Sequence, residues 1–352
     1  MSDRLRALFC DHLSLMRGKY LPASKIGDNE TRFCRSTFGV HFDRDLLPSP
    51  GSMMLEGLPD MELRWRAADI RDSWHAGTKI VLGDLYDTSG VPLELCPRGA
   101  LKRAIAAWEV RGLTPKIGIE LEAFAFQREA DGRLVPYDAP GAVVYGTGPT
   151  TDPRGFNDAI WARATALGFK LDMITAEYDA LQFEYTLTFD DALRAVDDII
   201  LFRLLAREVA LEHGIVLSFL PKPIEGAGGS GMHINFSFTD ASGNNALSLN
   251  GKSGPDHMND LARGCVAGLV EHQVLRLQVA VHDAVLVRVV DAAGRVADPA
   301  GDLPRVALRL PGQLALDGLP VDVLHGDVGS PVVLADLVDR GDVGVRQAAR
   351  AH

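Results

Sequence analysis

Three stretches of the chain alternate strictly between hydrophobic and polar positions, and helical patterns lie between them. In Leu181–Phe189 the residues Gln182, Glu184, Thr186 and Thr188 share one face, while Leu181, Phe183, Tyr185, Leu187 and Phe189 share the other. Such alternation predicts a strand with two unlike faces. Met232–Phe238 repeats it with His233, Asn235 and Ser237 on the polar side, and Lys116–Glu122 does so with Gly118, Glu120 and Glu122. Ile215–Leu220 reads as a short apolar strand. Helical spacing is expected over residues 3 to about 16, from Pro97 to a stop at Gly112, and over roughly 155–167 before Gly168. The longest helix is expected from an N-cap at Asp190, through Leu193, Val196, Ile199, Ile200, Leu204, Val209 and Leu211, to Gly214. Residues between Pro22 and about 95 are strand-like, with Lys79–Asp87 the clearest run, and about 128–153 reads as a loop. The order of these elements predicts an α+β fold, its helices packed behind a largely antiparallel sheet.

A chain of 352 residues with 47% hydrophobic and 24% charged positions can bury a sizeable core, in two domains. The net charge of −11 argues against nucleic acid as a partner. Four scattered cysteines, with no CxxC pair, suit reduced thiols in a cytoplasm, and neither a signal peptide nor a membrane-spanning stretch is expected. From Gln273 to His352 the composition changes in kind, with no Glu, Lys, Ile, Met, Asn, Thr, Cys, Phe, Trp or Tyr. Every residue there except Ser330 is of a type encodable by a codon beginning with G or C, as in an out-of-frame reading of GC-rich DNA. Such a tail is expected to lack a well-packed core.

Two glycine motifs carry no weight. Gly226–Gly231 matches GxGxxG but leads into a strand, whereas a dinucleotide fingerprint must open a helix. Gly251-Lys252-Ser253 resembles the end of a phosphate loop whose first glycine would fall on Ala246. The polar strand faces matter more. Glutamate is a poor strand former, yet Glu120, Glu122 and Glu184 all sit in mid-strand, and His233 lies on the polar face of another strand. Clustered carboxylates repel unless a cation neutralises them, and hard oxygen donors point to Mg²⁺ or Mn²⁺.

Gly118–Glu122, Glu177-Tyr178 running to Gln182–Glu184, the helix to Gly214, and Pro221-Lys222-Pro223 followed by Gly229–His233 occur in that order. Together they resemble the glutamine synthetase family, over about residues 5–272. The pieces Arg17–Lys19, Pro59–Met61 and Asp84–Asp87 resemble its N-terminal β-grasp domain. The resemblance implies a β-grasp domain over 1–97 and a catalytic domain over 98–272 with a curved, mainly antiparallel sheet, leaving 273–352 as the anomalous tail. It implies a ligase that uses ATP and two divalent ions to join glutamate to ammonia or another amine, polyamines included. By matching position, Glu122, Glu177 and Glu184 would hold one ion, and Glu120 and His233 the second. Asn235, Ser237 and Phe189 would contact the nucleotide, and Gly229 would hold glutamate. A ring-shaped homo-oligomer is implied too, with an acidic residue near Asp43 or Asp45 supplied by the neighbouring subunit. Gly228 stands where many members have an Asn, and the family's later arginines and glutamates have no counterpart after His272. A metal- or nucleotide-binding paralogue without turnover therefore stands as an alternative.

Overall fold

The computed structural model describes residues 4–271, apart from Phe42, Pro50, Ala180, Ser253 and Gly254. The anomalous stretch 273–352 lies outside the described residues. Two compact units divide at Phe236/Ser237. In chain order the first unit opens with strands β1 (Arg4–Cys10), β2 (Met16–Pro22), β3 (Glu30–Cys34), β4 (Asp60–Arg64), β5 (Arg71–Asp72), β6 (Thr78–Leu82) and β7 (Asp84–Asp87). Helix α1 (Pro97–Glu109), β8 (Thr114–Arg128), β9 (Leu134–Pro136), α2 (Phe156–Ala166), β10 (Leu171–Ala176) and β11 (Gln182–Asp191) follow. Then come α3 (Ala192–Glu212), β12 (Ile215–Ser218) and β13 (Met232–Thr239), which crosses the division. The second unit carries α4 (Asp260–Glu271) and a turn closed by a bridge between Thr239 and Asn245.

The strands form a four-stranded sheet in the order β2-β1-β6-β5, a three-stranded sheet β3-β4-β7, and a six-stranded sheet β10-β11-β8-β12 in which β9 and β13 also pair with β8. The pairings among β1–β12 are antiparallel except between β1 and β6. This agrees with the expected α+β arrangement.

Expectations for the first strand and for the start of α3 fail for physical reasons. The helix expected over residues 3 to about 16 is not formed by the described residues 4–16, which give β1, a turn and the start of β2. Strand β1 is buried on both sides, with Leu8 packed in one core cluster and Leu5, Ala7 and Phe9 in another. A strand covered on both faces reads as an unbroken apolar run, which spacing cannot separate from a helix. Asp190 is not the N-cap of α3. It is still part of β11, its carboxylate 2.7 Å from Lys170 Nζ, and Asp191 holds the cap position without a side-chain cap bond. Competition from Lys116, which pairs with Asp191, and from Lys170 draws both carboxylates away from the helix.

Helix α3 supports the site from behind. Leu201, Phe202, Leu204, Leu205, Ala206 and Val209 form one core with Ile119, Leu121 and Ala123 of β8 and with Phe183, Tyr185 and Leu187 of β11. Leu8, Ile80 and Leu82 of the N-terminal sheet join the same core. Ion pairs add to this packing: Arg6 grips Glu208 through two nitrogens at 2.7 and 3.0 Å, and Arg98 does the same to Asp197 at 2.9 Å. Trp74 Nε1 donates to the same Glu208 at 2.5 Å. The helix ends where expected, since Gly214 has φ of 73°, a left-handed turn that glycine adopts at little cost.

Tyr185, fully buried next to Glu184, donates its hydroxyl to Asn157 Oδ1 of α2 at 2.8 Å. Tyr185→Phe leaves that buried acceptor unpaired and is expected to lower stability by about 1–3 kcal/mol. Urea unfolding of the two proteins checks this; equal midpoints and slopes would show that the pair contributes nothing.

Candidate functional site

Register places the acidic side chains. Strands β8 and β11 run antiparallel with Glu122 directly opposite Glu184 and Glu120 opposite Thr186. Opposed residues in such a ladder stand about 5 Å apart at Cβ. Because side chains alternate, the register that turns Glu120, Glu122 and Glu184 to one face turns Ile119, Leu121, Tyr185 and Leu187 into the core behind. Strand β13 adds the remaining donors on the other side of β8.

Glu120 is the meeting point. Its Oε2 is 2.8 Å from His233 Nδ1, and its Oε1 accepts from Asn235 Nδ2 at 3.0 Å. His233 Nδ1 is also 4.0 Å from Glu184 Oε2. One ligand atom from each of Glu120, Glu184 and His233 lies within 4.8 Å of the others. Glu122 is held by two donors on a single oxygen: Gly231 N at 2.8 Å and Gln182 Nε2 at 2.6 Å, both to Oε2.

The electrostatics follow from this crowding. Burial first, then the negative fields of Glu120, Glu177 and Glu122, push the Glu184 carboxyl up to about 7, against some relief from His233. Glu122 is also raised, by burial and by Glu177 and Glu120, although the Gly231 amide opposes the shift. Glu177 thus acts on both carboxyls through its charge. Among the described residues it is outside the tight group of three, and its own Oε2 accepts from Tyr178 N at 3.3 Å. Two carboxylates and an imidazole, half-shielded from water and gathered within 4.8 Å, form a donor set that fits a hard divalent cation.

The other residues singled out in the sequence are spread more widely. Phe189, expected on the apolar face with Leu187, is instead 66% exposed, because the register of β11 shifts after Leu187; its Cβ faces Gly118. Ser237 belongs to the second unit, where its hydroxyl donates to Asn245 Oδ1 at 3.5 Å. At Gly229 an added Cβ would come within 3.0 Å of the Pro221 carbonyl oxygen, so backbone packing alone requires a small residue there. Gly226–Gly231 leads into β13, as expected from its sequence context. Asp43 accepts from the Asp45 amide at 3.0 Å and lies 3.1 Å from His41 Nδ1, which keeps its carboxyl below the usual range.

Two contributors were missed in the sequence, Gln182 and Gly231. A Cβ on Gly231 would fall 2.6 Å from Glu122 Oε1, so only glycine leaves the carboxylate its place. The available signal for Gln182 was its position on the same strand face as Glu184, two residues away.

Comparison with known proteins agrees with this geometry. Residues 94–281 match the glutamine synthetase catalytic domain. A glutamine synthetase of Clostridium saccharobutylicum is 32% identical over 189 residues, covering 54% of this chain and 42% of that protein. One of Halobacterium salinarum is 27% identical over 365 residues, covering 92% of this chain and 77% of that protein. Against the first of these, the chain spans less than half the relative's length. A solved structure of GmaS in complex with ADP superposes with a TM-score of 0.65 at 24% identity, over 77% of this chain and 60% of that one. The fold is thus glutamine-synthetase-like, with mixed α/β content and antiparallel sheets. The chain belongs to the glutamine synthetase family.

The raised Glu184 carboxyl has a pH consequence for protein freed of divalent ions. A carboxyl that titrates near 7 when folded and in the ordinary glutamate range when unfolded retains its proton preferentially in the folded state. Its contribution to stability is full below the ordinary range and is lost as pH rises through about 7. Melting in EDTA is expected to show this loss, and Glu184→Gln, which cannot ionise, is expected to flatten it. Parallel pH profiles for the two proteins would contradict the assignment.

Proposed function

We propose that the chain is a ligase that spends ATP to join the γ-carboxylate of glutamate to ammonia or another amine. The observation that carries this reading is the convergence of Glu120, Glu184 and His233 on one sheet face, with Glu122 opposite Glu184. Two divalent ions, Mg²⁺ or Mn²⁺, would be held there, one by Glu122, Glu177 and Glu184 and the other by Glu120 and His233. When bound, such ions neutralise phosphate charge and so permit a carboxylate to approach the transferring phosphoryl group. The chemistry is activation of the carboxylate as γ-glutamyl phosphate with release of ADP, then attack by the amine with loss of phosphate.

The protein's own residues have defined parts in this reading. Asn235 keeps Glu120 oriented through its 3.0 Å bond, and Gly231 with Gln182 fixes Oε2 of Glu122, leaving Oε1 available as a ligand atom. Phe189, Asn235 and Ser237 would contact the nucleotide, and Gly229 would present its backbone to glutamate. The β-rich region of residues 4–87 would be the family's β-grasp domain, and assembly would be a ring of identical subunits in the cytoplasm. Gly228 carries no side chain toward the substrate, and its N–H is taken by the Asp179 carboxylate. Polyamines and other bulkier amines are therefore acceptors to test beside ammonia.

A second reading is favoured by one sequence fact: residues 273–352 contain no glutamate. In this reading the chain is a paralogue that binds metal and nucleotide without turnover. The test for both is ADP release in Mg²⁺ and ATP, with and without glutamate and an amine. Glutamate- and amine-dependent release supports the ligase; Mn²⁺-dependent thermal stabilisation without turnover supports the paralogue. A cation present at one hundred times its dissociation constant stabilises by about 2.7 kcal/mol. Glu184→Gln and Glu122→Gln are each expected to remove most of that stabilisation. Undiminished stabilisation in both variants would reject these carboxylates as ligands.

A further inference from the structure

Gln182 lies at the start of β11, 3% exposed, in a place where a side chain of its length touches two separate parts of the chain. Its Nε2 donates to Glu122 Oε2 at 2.6 Å and to the Gly229 carbonyl at 2.8 Å. A primary amide nitrogen has two hydrogens, so both are consumed. Glu122 is 60 residues away in sequence and Gly229 is 47 away, and no other single side chain among the described hydrogen bonds joins these two groups. The same short segment holds the glycine loop at a second point, since the Asp179 carboxylate accepts from Gly228 N. The loop then answers: Gly231 N donates back to the very oxygen that Gln182 holds. Glu122 Oε2, Gln182 and the backbone from Gly229 to Gly231 thus form a closed ring of hydrogen bonds.

We propose that Gln182 is a positioning residue that couples the cation-binding carboxylates to the Gly228–Gly231 loop, so that ordering one orders the other. This rests on the proposed cation site. It extends that reading, because Gln182 is outside the proposed ligand set and acts through Glu122 and the loop. With Oε2 committed to two donors, the Glu122 carboxylate is held against the loop, and its Oε1 lies beside Gly231. The coupling is reciprocal: a cation that draws on Glu122 stiffens the loop, and a ligand that stiffens the loop improves Glu122 as a ligand. Groups that orient a metal ligand in this way change metal affinity by about 10- to 100-fold when removed.

The test uses the full chain and Mn²⁺ as probe. Gln182→Asn keeps a polar amide but is one methylene too short to reach both partners, and Gln182→Met keeps the length and removes both donors. In the wild-type chain Mn²⁺ is expected to raise the melting midpoint and to slow hydrogen exchange at the amides of residues 228–231. Both variants are expected to bind Mn²⁺ about tenfold more weakly or worse, and saturating Mn²⁺ is expected to leave their loop exchange unchanged. Should Met at this buried position prevent folding, the Asn variant carries the comparison. If wild-type protein shows no Mn²⁺ effect, the cation site fails and the proposal with it. If wild-type protein responds but the folded variants match it in affinity and in Mn²⁺-dependent loop protection, the cation site stands and the coupling role of Gln182 is overturned.

Discussion

Two carboxylates facing each other across a strand pair are the constraint on which the rest of this structure depends. Glu122 and Glu184 occupy directly opposed positions on β8 and β11, and like charges so placed destabilise a ladder. Their ladder persists because the opposite faces of the same strands are committed to the core, through Leu121, Ala123, Phe183 and Tyr185. Slipping the register by one residue would relieve the repulsion only by turning that apolar set toward water. Core packing thus holds the acidic face together, and burial, followed by the charges of Glu120, Glu177 and Glu122, raises the Glu184 carboxyl.

The supports behind the sheet follow from that need. A face that pushes its own members apart requires a stiff backing, and α3 supplies it by burying residues nearly all round its middle turns. Its polar positions are occupied as well. Arg71 of β5 and Arg6 of β1 take Asp198 and Glu208, and Arg98 of α1 takes Asp197, so the helix is tied to the first sheet and to α1 by ion pairs and to the third sheet by packing. The Tyr185–Asn157 bond fixes α2 to the strand that carries Glu184.

Where the environment of a segment has two distinct faces, the sequence reveals it. Strands β8 and β11 each have a wet face and a dry one, so their period of two is legible; β13 alternates in sequence as well, although its Ile234 and Phe236 are exposed, and the three patterns together point to the gathering of Glu120, Glu122, Glu184 and His233. Strand β1 carries buried residues on both faces, Leu8 on one and Leu5, Ala7 and Phe9 on the other, so its spacing does not separate it from a helix. Asp190 has the chemistry of an N-cap, but Lys170, twenty residues earlier, claims its carboxylate, and local capping rules do not include such competitors. The Gln182 bonds were hidden for the same reason. They join residues 47 and 60 positions apart, and nothing in the spacing of a single strand encodes a partner at that distance.

The turn before β11 shows how far tertiary contacts override local preference here. Leu181 adopts φ of 76°, a left-handed setting that costs a bulky residue about 1–2 kcal/mol. Contacts on every side impose it. Leu181 O accepts from Ala125 N at 2.9 Å, its side chain packs against the main core, Gln182 N donates to Asp179 O at 3.1 Å, and Gln182 O accepts from Glu177 N at 2.9 Å. With the backbone pinned on both sides of the strained residue, Gln182 has little freedom in where it emerges, and its amide falls between Glu122 and Gly229. A relaxed turn would let β11 begin without that constraint. The strain at Leu181 is therefore located where a fixed direction is most useful, immediately before the side chain that joins the carboxylates to the glycine loop.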